Sequence, residues 1–165
     1  MIIYLVRHAI AVEHGTPGFA DDERPLTEEG IDRMQRGARG LARFVDPPEL
    51  IVSSPLLRAR QTAEILAVAL QSRHALTEWT VLTPDATPTQ TMTHVNKHAS
   101  ENSTMMLVGH EPHLSALAAT LLGASADAIA FKKGGACAIE CPIKVARGTG
   151  KLLWLLTPKQ LRQLA

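Results

Sequence analysis

Aromatic residues are scarce in this chain. Two Trp, one Tyr and three Phe are 4% of its 165 residues. Proteins that bind single-stranded nucleic acid stack its bases on such rings, so a stacking platform of that kind is not expected. A surplus of basic charge is also missing: 17 Lys and Arg stand against 16 Asp and Glu, a formal net charge of +1. A broad nucleic-acid-binding surface is therefore not expected, although a local cationic pocket stays compatible with these numbers. No apolar run approaches the roughly 20 residues that span a bilayer, and no leader pattern opens the chain. The expectation is a cytoplasmic protein with no membrane partner. Cysteine is limited to Cys137 and Cys141. On one strand they would lie about 13 Å apart at ~3.3 Å per residue, beyond the roughly 7 Å that a disulfide allows. Reduced thiols fit that compartment, and no further ligands accompany them at metal spacing. Neither G-x-x-x-x-G-K-[ST] nor G-x-G-x-x-G occurs, which disfavours a nucleotide switch.

What is present reads as one domain over residues 1–165 with alternating strands and helices. The chain opens on Ile2-Ile3-Tyr4-Leu5-Val6, a short apolar run that suits a strand buried on both faces. It stops abruptly at Arg7-His8. Glu13 to Pro25 follows, a loop longer than most connections, and such loops are often functional. Thr27 caps a helix with Glu28 and Glu29 in its first turn. Ile31, Met34, Ala38, Leu41 and Val45 form its apolar face, and Asp46-Pro47-Pro48 ends it. Leu50-Ile51-Val52 is a second strand. Ser54 as N-cap and Pro55 at the first helical position open the next helix, lined by Leu56, Ala59, Ala63, Leu66 and Leu70. A strand is expected within 76–82, a helix over 90–101 and a strand over Thr104–Val108. The latter ends at Gly109-His110, and Pro112 starts a helix that Gly123 stops. Strands over Ala136–Ile143 and Lys151–Leu156 and a short helix from Pro158 complete the chain. The fold class is a three-layer α/β/α sandwich with a mostly parallel, mixed sheet.

Three strand ends carry polar residues: Arg7-His8, Ser53 leading to Arg58, and His110. In open α/β sheets ligands sit beyond the carboxyl ends of the strands. Two of these connections run into helix N-termini, which attract anions. Two arginines and two histidines there suit a phosphoryl group, because the planar guanidinium fork can hold two phosphate oxygens. Each residue taken singly has an ordinary alternative. Arg7-His8 could be a surface pair, and His110 could be a hydrogen-bonded loop residue. Their coincidence at strand ends favours function.

The segments Leu5-Val6-Arg7-His8-Ala9, Ser54-Pro55-Leu56-Leu57-Arg58-Ala59-Arg60-Gln61-Thr62 and Val108-Gly109-His110 resemble the histidine phosphatase superfamily, the phosphoglycerate mutase-like fold. Arg24-Pro25-Leu26-Thr27-Glu28-Glu29-Gly30 and Gly109-His110-Glu111-Pro112-His113-Leu114 look like the short SixA-type phosphohistidine phosphatases. The resemblance implies that His8 is the nucleophile and that Arg7, Arg58 and His110 bind the phosphoryl oxygens. Ser53, Arg24 and Glu111 are further candidates for substrate binding. Two departures stand out. Ala9 occupies a position where Gly is usual, and a positive φ there would cost Ala on the order of 1 kcal/mol. No carboxylate clearly matches the general acid of larger members; Glu78 or Asp85 could serve, or each could be a solvated carboxylate.

The implied reaction needs no cofactor and no metal. It is removal of phosphate from phosphohistidine of a protein, such as a histidine phosphotransfer domain, through a phosphorylated His8. One alternative is a phosphatase of small phosphomonoesters, and another is a catalytically inert phosphate-recognition module. His94 and His98 at i and i+4 read as a solvated helix face rather than a zinc site, lacking the H-E-x-x-H glutamate. His14 and His113 lie near the site in sequence and could touch substrate. Lys132-Lys133-Gly134-Gly135 reads as a turn with solvated lysines, with steering of an acidic partner as the alternative.

Overall fold

The computed structural model describes residues 1–100, 103–125 and 127–165. Its strands are β1 (Ile2–Arg7), β2 (Leu50–Ser53), β3 (Thr77–Glu78), β4 (Thr104–Gly109), β5 (Ala136–Glu140) and β6 (Lys151–Leu156). Its helices are α1 (Glu28–Leu41), α2 (Leu57–Ala69), α3 (Pro88–His98), α4 (His113–Leu122) and α5 (Pro158–Gln163). The sheet order is β3-β2-β4-β1-β5-β6. β1, β2, β3 and β4 run parallel, whereas β5 is antiparallel to both β1 and β6. This is the mixed α/β/α sandwich that the alternating pattern predicts.

The pleat divides the core. Tyr4 and Val6 of β1 and Met106 and Val108 of β4 pack with α1, α2 and α5. Ile3 and Leu5, with Met105 and Leu107, pack with α3 and α4. Both faces of the central strands are covered, which explains their unbroken apolar runs. The Thr27 hydroxyl accepts the Gly30 N–H at 3.0 Å, so α1 starts at the expected cap. It ends at Leu41 rather than Val45, because Arg43 and Phe44 close tighter three-residue turns on Gly40 and Leu41.

Other boundaries differ. α2 begins at Leu57, not at Pro55. Ser54 N–H still donates to Val108 O at 2.9 Å, so the chain remains tied to β4 for one residue past β2. The strand expected within 76–82 is two residues long and turns into a 3-10 helix at Thr80–Leu82. Trp79 and Leu82 are both drawn into the core there. α3 spans Pro88–His98, capped by Thr87; residue 101 of the expected helix lies outside the described residues. β5 stops at Glu140, short of Ile143. Gly123 terminates α4 with φ of 69°, as its position implies.

Cys137 and Cys141 are free and buried. Burial pushes their thiols up to about 12 and about 11 respectively, so neither is a ready nucleophile. Among the described residues, no helix is long and apolar enough to cross a membrane.

Candidate active site

The carboxyl ends of the parallel strands meet above the sheet in a pocket of about 470 Å³. Arg7, His8, Arg24, Arg58, His110 and Glu111 all line it. The fold therefore gathers residues spread over a hundred positions into one place. Since β5 is antiparallel, the turn before it reaches the same edge and adds Lys133.

β1 ends at the candidate nucleophile with its backbone fixed on both sides. His8 N–H donates to Gly109 O at 3.0 Å. Arg7 N–H donates to Gly135 O at 3.0 Å, and Gly134 N–H reaches the carbonyls of Arg7 and His8. Next along the chain, Ala9 N–H donates to Thr62 Oγ1 at 3.0 Å, and that hydroxyl donates to Arg58 O at 2.7 Å. One threonine on α2 thus links the two arginine- and histidine-bearing segments. Ala9 does not adopt a positive φ, so the strain anticipated at that position does not arise.

His8 is 6% exposed, and its Nδ1 lies 2.7 Å from Ala9 O. A carbonyl only accepts, so Nδ1 carries the hydrogen. In the neutral ring Nε2 then keeps its lone pair. Burial, more than charge, lowers the His8 pKa to about 3; the Ala9 bond opposes, and Arg58, Arg7 and Lys133 add to the lowering. The neighbouring cations are therefore secondary to burial. The His110 ring centroid is 5.0 Å from that of His8. Burial, and then His8 and Arg58, lower His110 to about 2.

Arg7 Nη1 donates to Phe131 O at 2.6 Å, and Arg58 Nη1 donates to Asp21 O at 2.6 Å. Arg7 Nε, Arg58 Nε and both ring nitrogens of His110 are buried and find no hydrogen-bond partner among the described residues. Buried polar groups are rarely left unmatched. Such a set around one pocket is arranged for an anion with several oxygens.

The loop between β1 and α1 supplies an arginine clamp that periodicity could not reveal. Asp21 Oδ1 accepts from Arg24 Nε at 2.8 Å and lies 2.7 Å from His14 Nδ1; its Oδ2 is 3.5 Å from Arg58 Nη2. His14, followed by Arg24 and Arg58, holds the Asp21 carboxyl down at about 2. Asp21 thus positions two pocket arginines. The run of charge in a long loop was the available signal, and it did not say which carboxylate would turn inward. The loop also uses the first helical N–H of α2: Leu57 donates to Asp22 O at 2.8 Å. That donor is occupied, so the expected helix-terminus contribution is smaller than the motif suggests.

Three candidates lie elsewhere. Ser53 is buried at the end of β2, its hydroxyl donates to the Ser54 carbonyl, and it does not line the pocket. Glu78 sits on the edge strand β3, 3.5 Å from Arg60, and Asp85 is fully exposed; neither lines the pocket. The carboxylates that do line it are Glu13 and Glu111. Glu111 Oε1 accepts from Ser115 Oγ at 2.8 Å and from Phe131 N–H at 3.1 Å, so it braces the wall. His14 lines the pocket, whereas His113 is buried against Thr91. His94 and His98 are not simply solvated: both rings pack against Trp79, at 4.5 and 4.9 Å between centroids. Among the described residues, no group of three or more His, Cys, Asp or Glu is arranged to hold a metal ion.

Comparison with known proteins decides the family. The model of the histidine phosphatase superfamily (branch 1) matches residues 3–93. The chain belongs to the histidine phosphatase superfamily. An uncharacterized protein of Picosynechococcus sp. is 34% identical over 166 residues, covering 98% of this chain and 99% of that one. Among solved structures, the protein histidine phosphatase SixA complexed with tungstate superposes with a TM-score of 0.85 at 24% identity, covering 98% and 99% of the two chains. The putative phosphohistidine phosphatase SixA of Agrobacterium tumefaciens gives a TM-score of 0.76 at 26% identity over 95% and 97%. Within the histidine phosphatases the chain is SixA-like, and its activity is that of a phosphatase.

Proposed function

We propose that the protein removes phosphate from phosphohistidine of a protein substrate, through a phosphohistidine intermediate on His8. The observation that carries this reading is the fixed tautomer of His8. A ring whose Nδ1–H is spent on Ala9 O keeps a nucleophilic Nε2 beside Arg7, Arg58 and His110.

In the first step the Nε2 lone pair attacks phosphorus in line. A P–N bond forms, and the P–N bond to the substrate imidazole breaks. The leaving ring takes that electron pair and departs neutral, its other nitrogen already protonated. Arg7 and Arg58 hold the equatorial oxygens and offset charge during transfer, and the neutral His110 ring adds one N–H hydrogen bond to them. Water then attacks the phosphorus in line, the P–Nε2 bond breaks and returns its electron pair to Nε2, and the phosphate leaves carrying the water's protons.

The substrate class is supported by the carboxylates around the pocket. An alkoxide leaving group needs a proton in the transition state; of the two carboxylates lining the pocket, Glu111 is already engaged by two donors and Glu13 is solvent-exposed on the loop after β1. A neutral imidazole makes no such demand. The SixA-like character of the chain points the same way.

The test is a denaturing quench of the enzyme turning over a histidine-phosphorylated phosphotransfer domain, alongside aryl and sugar phosphates. Acid-labile phosphate is expected on His8, with His8→Ala unlabelled and inactive. Turnover of sugar phosphates with none of the phosphoprotein would overturn the assignment.

A further inference from the structure

A second hollow, of about 180 Å³, lies between α1, α5 and the turn before β5. Five cations surround it: Arg33, Lys132, Lys133, Lys159 and Arg162. No carboxylate lines it, in a chain whose formal charge is only +1. Arg33 is paired with Glu29 of its own helix. Among the described residues, the other four have no carboxylate within salt-bridge distance. The floor is apolar and built from Ile10, Met34 and Pro158.

This hollow is smaller than the roughly 300–1,000 Å³ of small-molecule sites. It suits one apolar side chain with acidic neighbours reaching the rim. It also adjoins the active site, because Lys133 lines both pockets. Gly134, next in the chain, is hydrogen-bonded to the carbonyls of Arg7 and His8. A segment gripped here is held at a fixed distance from the nucleophile.

We infer that this groove docks an acidic segment of the phosphorylated protein substrate, an apolar side chain on its floor and carboxylates against its cationic rim. The inference rests on the phosphoprotein reading above. Charge complementarity of this kind acts mainly on encounter and specificity and weakens with salt.

The test uses two synthetic peptides, each phosphorylated on one histidine with phosphoramidate. One carries glutamates and a leucine beside the phosphohistidine, and the other has glutamines for the glutamates. Wild type is expected to favour the acidic peptide about tenfold in kcat/KM at low salt, with the preference shrinking as salt rises. Lys159→Glu with Arg162→Glu should remove the preference and leave aryl phosphate hydrolysis unchanged, which also reports correct folding. The neutral pair Lys159→Ala with Arg162→Ala should give an intermediate preference. Equal use of both peptides by wild type, or a preference that survives charge reversal, would overturn the groove alone. Hydrolysis of aryl phosphate with neither peptide cleaved would overturn the phosphoprotein reading and the groove with it.

Discussion

Gly30→Ala should damage both stability and turnover, although it places the better helix former in a helix. Gly30 is in the first turn of α1, where the backbone of the segment after His8 passes very close. A Cβ built there would lie 2.0 Å from Ile10 O and 2.9 Å from Ile10 C, against 3.4 Å or more for ordinary contact. The obstacle is main chain, so well over 1 Å of backbone movement is required. The same carbonyl accepts Thr27 N–H at 3.0 Å, seating the cap of α1. Helix propensity contributes up to about 1 kcal/mol in favour of Ala. Overpacking costs roughly 1–3 kcal/mol, and loss of the Thr27 bond adds about 1 kcal/mol. The expected net is a destabilisation of about 2 kcal/mol, or a Tm lower by roughly 4–8 °C at this chain length. Ile10 is two residues from His8, and Ala9 O fixes the His8 ring, so kcat should fall as well. Gly37→Ala on the same helix is the control. Its Cβ would meet only Leu161 Cβ, at 3.7 Å, and stability should hold or rise by up to about 1 kcal/mol. Urea unfolding followed by tryptophan fluorescence compares the two. Equal stability of Gly30→Ala and Gly37→Ala would refute the packing argument.

Acid should destabilise the protein earlier than its carboxylates alone would dictate. His8 and His110 titrate at about 3 and about 2 when folded and near 6.5 when unfolded, so the unfolded chain binds more protons between those values. The stability they contribute is complete above about pH 6.5 and declines as pH falls, by at most about 1.4 kcal/mol per pH unit for each ring. Urea midpoints at pH 7, 6 and 5 measure it; His110→Gln should flatten the slope, and a wild-type stability constant across this range would contradict the burial of both rings. Asp21→Ala should lower kcat/KM about tenfold, equivalent to about 1.4 kcal/mol of transition-state stabilisation, by freeing Arg24 and loosening Arg58. Its effect on stability should stay below about 1 kcal/mol, since the carboxylate is 44% exposed. Steady-state kinetics indistinguishable from wild type would show that the clamp is ornamental.

The quartet Arg7, His8, Arg58 and His110 was legible because short apolar runs announce strand ends and the polar residues follow immediately. Ser53 obeyed the same rule and nonetheless stays out of the pocket lining, since spacing does not reveal which side chains at a strand end reach the pocket. Asp21 was not singled out, and Lys133, read as a solvated turn lysine, was not placed in the pocket, for another reason. One depends on how an aperiodic loop folds back over α2, and the other on β5 running against its neighbours. Neither is a local property of the sequence. The motif glycine at position 30 was visible as a letter, but its cause, a carbonyl 2.0 Å from the missing Cβ, belongs to tertiary packing.

The main chain at His8, the proposed nucleophile, is tied to Gly109 of β4 on one flank and, with that of Arg7, to Gly134 and Gly135 of the turn before β5 on the other. Such an anvil cannot lean toward what it strikes. Under the proposed chemistry the phosphorus must therefore travel the whole distance to the imidazole, and a badly seated visitor meets a ring that will not lean over to compensate.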